Sequence, residues 1–381
     1  MKKITYYLMA LLASVTLFSC QNDDHTLEEV LAMKGDVRID TIQVGITYSD
    51  AQAVITGDRN NIVSTNGAHV IVDATNDANV YVITLSGSTT DGSLKIYGKS
   101  ALTLRLNGVN LTNTRGAAIN NQCHKDLYVI CEPGTENVLT DAEVYAEGNP
   151  DEDEKGTLFS EGQIHFQGTG ALTVNSKSKN AIACDDYIRI ADLTLKTNTA
   201  STGSHGIKVK EELYIESGNI DIFVAADGAK GIKCDSTVTI TGGTTNITTT
   251  GAPLIENIDG VADTSSCAAI KCECDFTMTA GKLVLKSTGE GGKGLNSSKD
   301  IYFKGGTLEA TTSGEKEDAS PKAVKADGLI YISGGIFTAR SEEGRATDCA
   351  SKDRFPIIEG TPVETPKLKK KTVIVNFVQK S

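Results

Sequence analysis

Tryptophan is absent from this chain of 381 residues, proline occurs seven times, histidine five times, and aromatic residues of all kinds make up 5%. Basic residues are also in deficit. Lys and Arg number 37 against 49 Asp and Glu, a formal charge of −12, and the first 19 residues hold two lysines and no acid, so the rest of the chain is more acidic still. A nucleic-acid binder would show a basic surface, and this balance excludes one. An acidic balance suits either solubility or capture of Ca²⁺. No sustained 3.6-residue apolar pattern runs through the chain, which excludes a helical solenoid. No Gly-x-Ser-x-Gly, His-Glu-x-x-His or phosphate-loop phrase occurs, and the histidines at 25, 69, 124, 165 and 205 are scattered. Catalysis therefore finds little support in the motifs.

What the chain has is a repeat. Ala181-Ile-Ala-Cys-Asp185, Gly206-Ile-Lys-Val-Lys210 and Gly231-Ile-Lys-Cys-Asp235 are versions of one phrase, with lead residues Ile182, Ile207 and Ile232 spaced 25 apart. Leads extend to Leu158, Ile270, Leu295 and Val324, and more weakly to Ile119. Counting the lead as zero, positions +6 and +8 are apolar in all seven clear repeats, from Ile164/Phe166 to Ile330/Ile332. A third alternating pair follows near +13 and +15, as in Ile220/Ile222 and Leu283/Leu285, after a glycine-bearing bend such as Gly242-Gly243 or Gly305-Gly306. Three short strands of period two in about 25 residues are one rung of a parallel β-helix. The fold expected is all-β, a single right-handed parallel β-helix with three-stranded rungs. A propeller needs about 40 residues per blade, which this period does not fit. Longer steps place insertions in Gly251–Ser266, in Gly314–Ser320 and around Asn149–Lys155.

The chain divides on paper into residues 1–19, 20–40, 41–355 and 356–381. The first piece has Lys2-Lys3, an apolar run over Tyr6–Leu17 and Leu17-Phe-Ser-Cys20. It reads as a signal peptide too short to span a bilayer comfortably. Its end resembles a bacterial lipobox, which implies lipidation at Cys20, and Gln21-Asn-Asp-Asp24 resembles an export tag of surface lipoproteins. Residues 20–40 read as a polar tether, with a short helix at Leu27–Met33. Residues 41–355 carry the β-helix, whose less regular opening rungs cover the end of the core. The last 26 residues hold the basic run Lys367–Lys371 and a strand, Thr372–Val378, that folds back as an edge or cap. Cys184, Cys234 and Cys272 share the inward position +2 with Val209, Ser297 and Ala326, so they read as small core residues. A Cys234–Cys272 disulfide on neighbouring rungs is the alternative.

Outward columns carry the candidate chemistry. Position +1 reads Lys208, Lys233, Lys271, Asn296 and Lys325, and Lys230, Lys293 and Lys322 two residues before the lead extend the basic stripe. Positions +3 to +5 are acidic: Asp185/Asp186, Glu211/Glu212, Asp235, Glu273/Asp275, Asp300 and Asp327. The plain reading is a ladder of salt bridges, each exposed pair contributing about 0–1 kcal/mol. The run Asp151-Glu-Asp-Glu154 reads as a solvated acidic loop, with cation binding as the alternative. Position +7 includes Tyr214, Tyr302 and Tyr331, rings that pack on sugar faces or simply suit strands.

Leu104-Arg-Leu-Asn-Gly-Val-Asn-Leu111, Gly116-Ala-Ala-Ile119, Gly168-Thr-Gly-Ala-Leu-Thr-Val174 and the Gly-Ile-Lys phrases together resemble the exported calcium-dependent carbohydrate-binding β-helix family, over roughly residues 60–350. The resemblance implies a pectate-lyase-like fold that binds plant-wall polysaccharide, acidic galacturonans included, without cleaving it. That family often carries Asp two residues before the lead, whereas this chain has Asn180, His205, Lys230, Ala268, Lys293 and Lys322 there. The expectation is an outer-membrane, cell-surface lipoprotein of a Gram-negative bacterium that binds polysaccharide with Ca²⁺. Its lysines at 208, 233, 271 and 325 and its tyrosines at 214, 302 and 331 would meet the glycan. Asp151, Asp153, Asp185, Asp186 and Asp235 would meet the metal. An adhesin with a protein partner and a polysaccharide lyase are the alternatives.

Overall fold

Alternation of apolar and polar residues in short segments separated by glycine bends cannot bury a helix stripe, but it buries one side of every strand in a stack. The chain does this throughout. A computed structural model describes residues 41–258, 261–317 and 319–379, so the expected signal peptide, Cys20, the tether and its helix lie outside the described residues. Thr41 onward forms a parallel β-solenoid of about 11 turns at about 25 residues per turn, with no helix among the described residues.

Each turn has three faces. The lead face is a 12-stranded sheet. Leu94, Ile119, Leu158, Ile182, Ile207, Ile232, Ile270, Leu295 and Val324 are successive register partners on it. The weak lead Ile119 is thus in line, and the column continues to Val70 at one end and Thr347 at the other. Positions +6 and +8 form the inner side of the second face, and all seven pairs from Ile164/Phe166 to Ile330/Ile332 are buried. The third face follows, for example Thr194–Thr199 and Asn219–Val224.

The second and third faces belong to one 23-stranded sheet, because the first turns do not break at the corner between them. Thr41–Ser49, Val80–Thr89 and Leu102–Thr112 run through it, bent by Gly87 and Gly108 at φ 78° and 71°. Later turns break there at glycines in the left-handed region, Gly218, Gly243, Gly281, Gly306 and Gly335.

The inward +2 column shows why small residues with a donor recur. Cys184 Sγ donates to the carbonyls of Gly162 and Tyr187 at 3.3 and 3.4 Å. Cys234 Sγ donates to those of Glu211 and Thr237 at 3.0 and 3.3 Å. Ser160 and Ser297 hydroxyls do the same toward Gly162 and Cys274, at 2.7 and 2.8 Å. A small donor in this column satisfies corner carbonyls that water cannot reach. Cys234 and Cys272 are register partners, yet both are free thiols, and burial pushes each up to about 12.

The ends are closed by antiparallel strands. Gln52–Thr56 folds back on Thr41–Ser49, and Val63–Asn66 on His69–Ala74. At the other end Thr372–Asn376 lies antiparallel on Ile336–Ser341 and buries Val373 and Val375, with Lys367–Lys369 outside it. The insertion at Gly251–Ser266 holds an antiparallel hairpin, Leu254–Ile258 with Val261–Ser265.

Candidate functional site

Parallel stacking turns a sequence repeat into a spatial column, so the outward residues of the lead face stand one strand spacing apart, about 4.8 Å. Ala183, Lys208, Lys233, Lys271, Asn296 and Lys325 are consecutive partners in register. Four ammonium groups in one column repel, and carboxylates two residues on offset three of them. Lys233 reaches Asp235 at 3.9 Å, Lys271 reaches Glu273 at 2.9 Å and Lys325 reaches Asp327 at 2.6 Å. Lys208 has no carboxylate partner among the described residues.

A second column, three residues earlier and two before the lead, holds Lys230, Ala268, Lys293, Lys322 and Arg345. Lys230 is only 9% exposed. Its Nζ donates to the Gly228 carbonyl and to Ser265 Oγ, both at 2.6 Å. Burial, with the charges of Lys233 and Lys271 added, lowers it to about 8. Burial and the charges of Lys322 and Lys325 also lower Lys293 to about 8, and its Nζ donates to Gly291 O at 3.1 Å. His205 is pushed down to about 3 by burial and by Lys230, and its Nδ1 accepts the Lys230 backbone N–H at 3.1 Å. Lys322 is paired with Asp348 at 2.7 Å.

The five aspartates named as candidate metal ligands do not meet in one place. Asp153 and Asp185 do, and Glu161 joins them, with one carboxylate oxygen from each lying within 4.8 Å of the others. Lys155 sits among them, bonded to Asp153 at 2.6 Å and to Asp185. Burial, then the charges of Asp185 and Asp153, raises Glu161 above the usual carboxylate range. Asp186 instead accepts from Gln163 Nε2 and the Tyr187 N–H at 2.7 and 2.9 Å. Asp235 stands beside Lys233, and Asp151 is exposed in a turn. Three carboxylates offer up to six oxygens and keep a net −2 beside one lysine, a donor set and charge that fit Ca²⁺. Glu161 stands at +3 of the repeat led by Leu158, in the same acidic column as Asp185, and was not singled out among the candidate ligands.

The acidic run is not the solvated loop that its composition suggests. Residues 149–155 lie across the lead face of the early rungs. Glu152 accepts from Lys95 Nζ and, at 2.8 Å, from the Tyr97 hydroxyl. Glu154 Oε1 accepts the Ala117 N–H at 2.6 Å, and its carbonyl accepts Lys179 Nζ at 2.7 Å. The Asp153 carbonyl accepts Gln122 Nε2 at 2.7 Å. Asn120 and Phe159, outward residues in register with Lys95 and Ala183, are buried, Phe159 fully and with Lys155 Nζ 5.6 Å from its ring centroid. Ala183 is buried as well, so the exposed column begins at Lys208.

The tyrosines fall on the second face, around a corner from the lysines, and in two groups. Tyr302 and Tyr331 stack on each other, 5.3 Å between centroids and 4° between planes, and the Tyr302 hydroxyl donates to Asp300 at 3.0 Å. Tyr214 lies two threonine rungs away, separated from Tyr302 by Thr239 and Thr277. It meets Tyr187 edge-on at 6.4 Å, under the Arg189 guanidinium at 5.7 Å. Tyr187 and Tyr128 complete that second group through His165; neither stands out in the repeat, because Tyr187 is a corner residue and Tyr128 follows an irregular rung. A cleft of about 500 Å³ on the third face, lined by Lys286, Arg340, Glu342 and Lys371 among others, is separate from these columns.

A family profile described as carbohydrate-binding domain-containing protein matches residues 66–231 and 223–319, more than half of the chain. A carbohydrate-binding domain-containing protein of Acetivibrio thermocellus is 31% identical over 159 residues, 40% of this chain and 56% of that protein. The chain thus spans little more than half the length of that relative. A solved structure of a polysaccharide lyase-like protein from C. thermocellum, a gadolinium derivative, matches with a TM-score of 0.53 and 21% identity. That match covers 77% of this chain and 99% of the other, and at this identity it speaks for the fold alone.

Proposed function

The chain belongs to the family of carbohydrate-binding domain-containing proteins, and from that premise we propose that it binds an acidic polysaccharide along its lead face without cleaving it. The observation that carries this reading is the register column Lys208–Lys233–Lys271–Asn296–Lys325. It is a straight run of donors at a fixed spacing, matched to an extended ligand with periodic acidic groups. Rim carboxylates keep the lysines extended and oriented, and a glycan carboxylate competes for them at little cost, because such half-exposed pairs are individually weak. Tyr302 and Tyr331 lie around the corner and contribute a ring edge and hydroxyls to a ligand that reaches the second face.

The test is retention of the mature chain on galacturonans, cellulose and host glycans, with and without Ca²⁺. Retention by an acidic glycan that weakens several-fold in Lys271→Ala and in Lys233→Ala supports the reading. Retention by none transfers the lead to an adhesin with a protein partner. Ca²⁺ would be held by Asp153, Glu161 and Asp185, where it supplies charge neutralisation and ties the segment 149–155 to the lead face. Calcium should raise the melting temperature of the wild type and not of Asp185→Asn, and equal responses remove the proposal. Anchoring at a bacterial surface through Cys20 completes the reading, and lipid labelling that persists in Cys20→Ala would end it.

One observation favours a second reading, a lyase. Lys293 stands in the lead-face column between Ala268 and Lys322, and burial lowers it to about 8, the direction a general base for a sugar C5 proton needs. Absorbance of an unsaturated product on polygalacturonate is expected to be absent. If it appears and is lost in Lys293→Met, the chain is an enzyme.

A further inference from the structure

The segment 149–155 makes on the early rungs the contacts that a bound acidic sugar would make. One carboxylate, Glu152, takes an ammonium from Lys95 and a hydroxyl from Tyr97. A second, Glu154, takes a backbone N–H from Ala117. A main-chain carbonyl takes the amide of Gln122. Beside the segment lies Phe159, at an outward position of the lead face yet fully buried, with Lys155 Nζ of the segment 5.6 Å from its ring centroid.

A covered outward phenylalanine is costly to explain as surface decoration. A solvated strand face has no use for it, and it is not part of the solenoid core. Together the covered groups are an aromatic face, two amides (Asn120 and Gln122), a hydroxyl and a cation. That is the chemistry that recognises a sugar ring with a carboxylate: apolar ring face on Phe, hydroxyls on amides, acid on Lys.

We infer that residues 149–155 are a built-in stand-in for ligand, covering a latent uronate-binding subsite formed by Lys95, Tyr97, Asn120, Gln122 and Phe159. This inference rests on the acidic-polysaccharide reading and extends it. An acidic chain docked on the lysine column displaces the strap and gains the earlier rungs, so the binding surface is longer than the exposed face. The strap lowers apparent affinity by the fraction of molecules in which it is closed.

The experiment compares wild type with Glu152→Ala/Glu154→Ala, and with that pair combined with Phe159→Ala, for binding of oligogalacturonates of graded length. Amide exchange at Ala117 is followed in the wild type as oligomer is added. The double variant is expected to bind about tenfold tighter for a strap closed nine-tenths of the time, to prefer longer oligomers, and to lose the gain with Phe159→Ala. In wild type, Ala117 should lose protection as ligand binds. Equal affinity and length preference in wild type and double variant overturn the inference while leaving the glycan reading intact. Retention of no acidic glycan by either protein overturns both. If the double variant does not fold, the wild-type exchange decides, and unchanged protection at Ala117 on binding overturns the inference.

Discussion

Lys230 and Lys293 hold positive charge where water is scarce and form no salt bridge among the described residues, which is an unfavourable state for an ammonium group. Both are lowered from 10.5 to about 8. The unfolded chain therefore binds more protons than the folded one between about pH 8 and 10.5, and stability contributed by these groups rises through that window and is lost as pH falls through 8. The effect is on the order of 3 kcal/mol for each group at most. Lys230→Met should raise the melting temperature at pH 7 and flatten the rise between pH 8 and 10 relative to wild type. A variant that parallels wild type across that range would show that Lys230 is better solvated than its burial indicates. At this scale the sequence was legible where a column repeats. The +2 residues Cys184, Cys234 and Cys272 read correctly as small and inward, because six stacked positions constrain one another. Glu161 was legible as a member of the acidic +3 column, but its meeting with Asp153 was not, and neither was the burial of Phe159, since an insertion rather than the repeat decides those surroundings. The acidic run misled for the same reason. Composition describes Asp151–Glu154 as a solvated loop, whereas Glu152 and Glu154 are spent on Lys95 and the Ala117 amide, partners far away in the chain.

Corners decide which strands the period exposes to a reader. From Leu127 onward each turn breaks between the second and third faces, at Gly134, Gly168 and Asp192 and then at a glycine from Gly218 onward, all in the left-handed region. The apolar pairs and the Gly-Gly bends are then clearly separated. Before that, Val80–Thr89 and Leu102–Thr112 carry two faces in one strand, and the spacing that marks a rung disappears even though the register continues through Leu94 and Val70. The corner also sets a strict demand on side-chain size. Gly306 has φ 80°, and a Cβ there would lie 2.5 Å from the Gly281 carbonyl oxygen of the rung below. An L-residue meets both backbone strain and a clash with an immovable neighbour. Gly306→Ala should cost about 1–3 kcal/mol, seen as a lower denaturant midpoint with an unchanged slope. Gly108 makes the control, because it also has positive φ but nothing within 4 Å of an added Cβ. Gly108→Ala should cost the conformational share alone. Equal losses at the two sites would mean that the stacked carbonyl of Gly281 yields, and that the corner column is less rigid than its spacing implies.

A solenoid is stabilised turn by turn, so its ends are its hazard. Every strand inside the stack gives its backbone donors and acceptors to neighbours, whereas the outermost strand would offer an open edge to another molecule. The C-terminal end answers this in two steps. Thr372–Asn376 pairs antiparallel with Ile336–Ser341, which breaks the parallel register, and Val373 and Val375 close over the core beside Phe337 and Ala339. Lys367–Lys369 then forms the outer strand, exposed throughout and continued by Lys370 and Lys371. Lysines on an edge strand disfavour pairing with a second copy, since the approach would bring like charges together and desolvate them. The two layers are separable. Neutralising the edge with Lys367→Ser, Lys369→Ser and Lys370→Ser should leave melting temperature nearly unchanged while increasing self-association in light scattering, most at high salt, where the remaining repulsion is screened. Removing residues 361–381 should do more, because it also uncovers Phe337, Ala339 and the backbone of Ile336–Ser341. That chain is expected to lose cooperative unfolding of the last rung and to form oligomers even at low salt. If the shortened chain stays monomeric, the last rung is closed by something other than the tail, and the lysine strand is an ordinary surface feature rather than a guard on the edge.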